Sequence, residues 1–405
     1  METRRLFYPR MRSLRLLLTG LLLLCSAPPS TSADQPWVLG FYPGWKQDRM
    51  PPTEIDYRPL THVVHFSGLP QTDGSIDYSQ HGLSLVNSQA AVAAAHANGK
   101  KILLCIGSAE TAPGFRGAAS NANRAKFIQN IVSTMQSRGY DGVDIDWEPL
   151  ASSDSDLYFA LLRDLRAALD AVGPNITLTI DVTYSPAVVA RVQSYVDQIN
   201  VMTYAMAGPW PGWATWHHSA LFDGGNRFPS SGKLVPSGAG KIAEFEAAGI
   251  PRSKLGFGLA YFGQIWTGGS GTPTGGVTAP MQSYSADPSV SEIDYQEIMR
   301  TWYSASRYHW DNAAGVAYLS IDEADSSQDR FISYDTAQSI VNKVAYAKAL
   351  RLGGFIIWEI TAEYRSDLPR SERHPLSQAL FTALSGGTSD SVPAPPGNLR
   401  VISRP

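Results

Sequence analysis

Short apolar, β-branched runs alternate with longer amphipathic stretches along most of the chain. The runs Trp37–Tyr42, His62–Phe66, Lys101–Ile106, Gly142–Trp147, Ile176–Val182, Gln198–Thr203, Leu255–Tyr261 and Phe355–Ile360 have the length and flanking turn residues of buried strands. Between them the spacing predicts helices over Ser84–Asn98, Arg124–Arg138, Asp154–Val172, Ile242–Ala248 and Val341–Leu352. Each is followed by a glycine (Gly99, Gly139, Gly173, Gly249, Gly353), the residue that most often ends a helix. This alternation predicts an α/β protein, a (β/α)8 TIM barrel rather than an open sheet. One interval is too long for a single helix. Between Tyr261 and Phe355 lie Gly/Thr/Pro-rich loops, a Trp-rich segment near Glu297–Tyr308 that reads as helix, and the apolar run Gly315–Ser320. About 264–330 is therefore expected to be a small insertion between strand 7 and strand 8. Insertions there fall at the C-terminal face of a barrel, where such folds place catalysis.

The stretch Asp141-Gly142-Val143-Asp144-Ile145-Asp146-Trp147-Glu148 carries the most chemistry. Alternate residues of a strand share a face. Asp144, Asp146 and Glu148 should point into the barrel, with Val143, Ile145 and Trp147 packed outward on helices. Carboxylates crowded on a buried face cannot all ionise, so they titrate as a set and some keep protons. That is one way to hold a glutamic acid protonated near neutral pH for general acid catalysis. A solvated charge run does not fit the alternation with Val, Ile and Trp. A carboxylate cage for calcium does not fit the spacing. A purely structural acid cluster remains the bland alternative.

Composition narrows the partners. The formal net charge is −3, which gives no reason to expect nucleic acid. Arg4, Arg5, Arg10, Arg12 and Arg15 precede the apolar run Leu16–Cys25, and small residues follow to Ala33. That order is expected of a signal peptide over 1–33, with a secreted, extracellular or periplasmic product and no membrane association after cleavage. The apolar run is short for a membrane anchor. Cleavage near Ala33 would leave Cys105 as the single cysteine. A catalytic domain over 34–385 then gives way to Gly386-Gly387-Thr388-Ser389 and Pro393-Ala394-Pro395-Pro396, which is linker chemistry. Within this linker-like tail, 386–405, Pro396-Gly397-Asn398-Leu399-Arg400-Val401 resembles the opening strand of a fibronectin type III module, so the tail is expected to be a disordered end or the start of a truncated module. A monomer without cofactor is expected. His217-His218, adjacent in a loop, make a poor ligand set, and no metal is expected.

Asp141, Asp144, Asp146 and Glu148 match the Asp-x-x-Asp-x-Asp-x-Glu motif of glycoside hydrolase family 18, the chitinase family. The chain resembles a single-barrel bacterial-type chitinase of that family from about Trp37 to Leu384. Gly40-Phe41-Tyr42, Phe66, Met202-x-Tyr204 and Trp358 resemble its first, second, sixth and eighth strands. The segment before Ile332-Ser333-Tyr334-Asp335 resembles its small α+β insertion.

The resemblance implies a substrate-assisted retaining hydrolysis, in which the acetamido oxygen of the sugar attacks the anomeric carbon. Glu148 would be the acid and then the base. Asp146 would orient the acetamido group, and Asp144 would exchange a proton with Asp146. Tyr204 would hydrogen-bond the acetamido oxygen. Trp358 would form the floor of the pocket, with Tyr42, Phe66, Met202 and Tyr261 around it. Trp210 and Trp213, in a Gly/Pro loop, are expected to offer stacking surfaces for sugar rings.

The pattern departs from the family in two places. Ala205 follows Tyr204 where many members carry Asp. Cys105-Ile106-Gly107-Ser108 stands where many have Ser-x-Gly-Gly. The expected activity is endo-acting cleavage of β-1,4-linked N-acetylglucosamine in chitin or chito-oligosaccharides. The alternatives are an endo-β-N-acetylglucosaminidase on glycoprotein or cell-wall glycans, and a non-catalytic chitin-binding lectin of the same fold.

Overall fold

The structure is a computed structural model that describes residues 1–2 and 35–386. The expected signal peptide and the expected tail module lie outside the described residues, apart from their edges. Among the described residues from Pro36 onward there are fourteen strands. In order they are β1 (Trp37–Pro43), β2 (His62–Pro70), β3 (Ile76–Asp77), β4 (Lys101–Ser108), β5 (Gly142–Trp147), β6 (Thr177–Val182) and β7 (Gln198–Val201). Then follow β8 (Leu255–Ala260), β9 (Phe262–Thr267), β10 (Ser289–Asp294), β11 (Tyr308–Asp311), β12 (Val316–Ile321), β13 (Arg330–Tyr334) and β14 (Gly354–Trp358).

Eight of these pair in parallel in the order β1-β2-β4-β5-β6-β7-β8-β14, and β14 returns to β1. The sheet is a closed (β/α)8 barrel, and its strands are the eight the apolar runs predict. β3 is a short antiparallel addition to β2. The helices are α1 (Leu85–Ala97), α2 (Ala112–Ala118), α3 (Arg124–Arg138), α4 (Ser155–Val172), α5 (Pro186–Val192), α6 (Gly238–Ala247), α7 (Tyr295–Glu297), α8 (Ala337–Leu350) and α9 (Pro375–Leu384).

The two faces of β5 divide as periodicity demands. Trp147 lies outside, stacked on Phe115 of α2 at 4.7 Å and edge-on to Tyr158 of α4 at 5.7 Å. Asp144 and Asp146 lie inside and buried. Two glycines make the barrel's close approaches possible. A Cβ on Gly107, whose φ is +121°, would sit 1.8 Å from the Asp146 carbonyl oxygen. One on Gly353 would run into the Trp37 ring at 2.0 Å. Gly353 therefore serves packing rather than the helix end, which Arg351 makes in the left-handed conformation. Gly173 is likewise extended rather than left-handed.

The insertion is a five-stranded antiparallel sheet in the order β10-β9-β13-β12-β11. It begins at Phe262, before Gln264, and ends at Tyr334, after Arg330. The Trp-rich segment is not the predicted helix. α7 gives way to a wider helical turn over Ile298–Trp302, and Tyr308 already opens β11. The alternation Tyr308-His309-Trp310 pairs with β12, so sheet pairing overrides the helical reading.

The insertion is tied to the barrel by ion pairs and hydrogen bonds. Lys46, after β1, reaches Asp294 of β10 at 3.2 Å and Glu359, after β14, at 2.8 Å. Buried His217 bridges Ser333 at 3.1 Å and Asp311 at 3.2 Å, which accounts for one member of the adjacent histidine pair.

Candidate active site

Four neighbouring barrel strands carry the acids and their supports, and their register decides which residue meets which. Asp144 is level with Cys105 of β4 on one side and Thr179 of β6 on the other. One step toward the rim, Asp146 is level with Gly107, and Asp181 of β6 with Asn200 of β7. The Thr179 hydroxyl donates to Asp144 Oδ1. The Asn200 amide donates to Asp181 Oδ1 at 3.0 Å. The remaining oxygens, Asp144 Oδ2, Asp181 Oδ2 and Asp146 Oδ1, are buried without a hydrogen-bond partner.

Desolvation sets the proton affinities. Burial pushes Asp146 well above the usual carboxylate range, and the charges of Glu148 and Asp144 push it further. Burial raises Glu148 as well. The hydrogen bond with Asp146 pulls it back, and Glu110 and Glu292 raise it. Both carboxyls at the mouth of the barrel are therefore held above the usual carboxylate range, chiefly by burial. Burial raises Asp144, and the neighbouring Asp181, Thr179 and Cys105 side chains pull it partly back. Cys105 is fully buried, and burial beside Asp144 keeps its thiol protonated.

These acids open into a cavity of about 330 Å³ at the C-terminal end of the strands. Asp146, Glu148, Tyr204, Met202, Phe66 and Trp358 all line it, so the structure brings together six of the residues singled out from sequence. Trp358 stands edge-on to Phe66 at 4.7 Å and tilted to Phe41 at 5.7 Å, making an aromatic floor opposite the acids. Burial, then the charges of Asp181, Glu148 and Asp146, raise Tyr204 well above an ordinary phenol, so its hydroxyl stays a donor. Asp144 is fully buried and does not line the cavity.

Four of the expected binding residues fall elsewhere. Tyr42 does not line the cavity: its hydroxyl donates to the Met50 carbonyl at 2.5 Å and its ring stacks on His65. Strand parity explains this, since Phe41 takes the inward position and Tyr42 the outward one. Tyr261 is fully buried, its hydroxyl 3.4 Å from Ser377 of α9. Trp210 and Trp213 meet edge-to-face at 4.5 Å, and Trp213 lies against Phe228 at 4.2 Å. Neither borders the cavity, although Trp210 remains exposed. The third ring of that run, Trp216, is core and donates to the Pro236 carbonyl at 2.8 Å.

The cavity also holds residues the strand pattern did not single out. Phe41, Asp181, Thr183, Tyr184 and Phe262 come from the ends of barrel strands or just beyond them, and Glu292 comes from β10 of the insertion. Asp181 had a legible signal. In Thr177-Leu178-Thr179-Ile180-Asp181-Val182 every second residue is polar, as on an inward polar face. Glu292 had none, because only tertiary packing swings β10 over the barrel.

The profile of Glycosyl hydrolases family 18 matches residues 38–363. The chain is 30% identical over 322 residues to Chitinase A1 of Niallia circulans, a match covering 70% of this chain and 43% of that protein. It is 30% identical over 342 residues to a Class V chitinase of Arabidopsis thaliana, covering 79% and 85%. The fold is shared with a Group IV chitinase of Ostrinia furnacalis solved with allosamidin, at a TM-score of 0.74 and 24% identity, covering 87% of this chain and all of that one. It is also shared with a family 18 N-acetylglucosaminidase of Paenibacillus barengoltzii, at a TM-score of 0.70 and 25% identity, covering 86% and 99%. The chain belongs to glycosyl hydrolases family 18.

Proposed function

We propose that this protein is a secreted chitinase that cleaves β-1,4 links between N-acetylglucosamine units by a substrate-assisted retaining mechanism. The observation that carries the reading is that Asp146 and Glu148 line one aromatic-floored cavity with Tyr204 and Trp358, with burial raising both carboxyls. A sugar seated on Trp358 would present its glycosidic oxygen to Glu148 and its acetamido group to Asp146 and Tyr204. Glu148 protonates the leaving oxygen as the acetamido oxygen attacks the anomeric carbon. Asp146 accepts a hydrogen bond from the acetamido N–H and stabilises the positive charge that develops on the group. Glu148, now a carboxylate, takes a proton from water as it opens the cyclic intermediate. Chitinase names among the relatives support the substrate class, and Glu148 is the motif residue that a non-catalytic lectin would lack.

Glu148→Gln keeps the shape but cannot give a proton. Hydrolysis of chitin hexamer should fall by about 10²–10⁴-fold, the range of general acid catalysis, while oligosaccharide binding persists. Retained turnover would sink the assignment. A product profile on colloidal chitin, chitin hexamer, a high-mannose glycopeptide and peptidoglycan separates chitinase from endo-β-N-acetylglucosaminidase action. The first-formed product should be the β anomer.

A further inference from the structure

We propose that Asp181 is a positioning residue for the hydrolysis, a fourth member of the acid chain that shares a proton with Asp144 and so sets when Asp146 can hold one. The inference rests on the reading of Glu148 as the acid.

Asp181 is 4% exposed and Asp144 is fully buried. The ligand atoms of Cys105, Asp144 and Asp181 lie within 4.8 Å of one another. Each carboxylate has one oxygen satisfied by a fixed donor, Thr179 for Asp144 and Asn200 for Asp181. Each has its Oδ2 buried with no donor. Two such oxygens cannot both stay bare and charged side by side inside a barrel. One proton between them satisfies both, as an O–H donor on one side and an acceptor on the other.

The groups that face Asp181 add no positive charge to relieve it. Asp144 and Asp146 come from β5, Cys105 from β4, Tyr158 from α4, Asn200 from β7 and Tyr204 from the loop after β7. A shared proton leaves the Asp144–Asp181 pair with one negative charge instead of two. That lone charge favours a proton on Asp146 beside Glu148. Removing Asp181 deletes a carboxylate from this set, and the remaining acids release their protons more readily.

The test is Asp181→Asn, in which the new amide can turn its oxygen toward Asn200. We expect the alkaline limb of the kcat/KM profile to move to lower pH by about one unit, with KM changed less than about threefold. An unmoved limb overturns the proposal. So does a loss of kcat that is uniform across pH, which marks a structural role, or a rise in KM alone, which marks a substrate contact.

If the variant fails to fold, the native protein still decides. Infrared spectra at pH 7 should contain a protonated-carboxyl band that survives in Glu148→Gln. Absence of that band from both proteins overturns the proposal. Glu148→Gln with full activity would instead overturn the reading of the acid itself, so the two failures are distinguishable.

Discussion

Ala205 shows how one residue's backbone bears on the site. It lines the cavity directly after Tyr204 and adopts a φ of +51°, the left-handed region. There an L side chain's Cβ crowds the next carbonyl, and Asn or Asp relieves this by local hydrogen bonding. The family's usual Asp at this place therefore suits the backbone as well as the chemistry. Ala205→Asn should raise stability by about 0.5–1 kcal/mol, read as a higher denaturant midpoint with an unchanged slope. A lower midpoint would show that the loop's contacts, not its φ, dominate. At this scale strand parity decides which side chains the sequence alone can place. Asp144, Asp146 and Glu148 were legible because a period of two over an unbroken strand leaves no second solution. Tyr42 is not legible in this way, because the motif names a triplet and only the strand's pairing turns Phe41, not Tyr42, inward.

At the scale of elements, one buried knot holds α8, the loop after β7 and the end of β8 together. Lys343 of α8 is fully buried and donates to both oxygens of Asp335, at 2.7 and 2.6 Å, and to Ser219 at 2.5 Å. The Ala260 amide donates to Asp335 at 3.2 Å. Lys343→Met would leave Asp335 charged and without its counter-ion, so unfolding free energy should drop by about 3–5 kcal/mol. Lys343→Met with Asp335→Asn should recover most of it, because the lone charge is gone. A loss equal in single and double variants, measured by chemical denaturation, would refute the knot. The long strands and long amphipathic helices were legible because each buries one periodic face. α2, α5 and α9 were not, being short elements that begin near a proline and depend on distant partners. α9 is an instance: buried Glu363 accepts from the Leu376 and Ser377 amides, at 2.6 and 3.2 Å, and so caps the helix from outside it.

For the molecule as a whole, two buried sets of titratable groups oppose each other. Burial raises Asp146 and Asp181 well above the ordinary 3.8, and raises Asp144 too. Burial lowers His62 from 6.5 to about 4, His65 to about 3 and His218 well below 6.5. A carboxyl raised by folding contributes stability below its unfolded value and loses it as pH climbs toward the folded value. A histidine lowered by folding contributes above 6.5 and loses it as pH falls. Between about pH 4 and 6.5 the two slopes have opposite signs and offset one another. Above 6.5 the histidines are neutral in both states, and only the carboxyl slope remains. Each carboxyl still protonated there removes about 1.4 kcal/mol per pH unit. Melting temperature should therefore be nearly level from pH 4.5 to 6.5 and fall by several degrees toward pH 8.5. The burial that raises Glu148 also raises the interior aspartates, and so makes the fold itself prefer weakly acid solution. Asp181→Asn should flatten the alkaline fall and, on the acid side, leave the histidine slope less offset, so that stability rises with pH there. A melting curve that keeps rising past pH 6.5 would mean that the interior carboxyls are ionised, and the shared protons of the site would go with them.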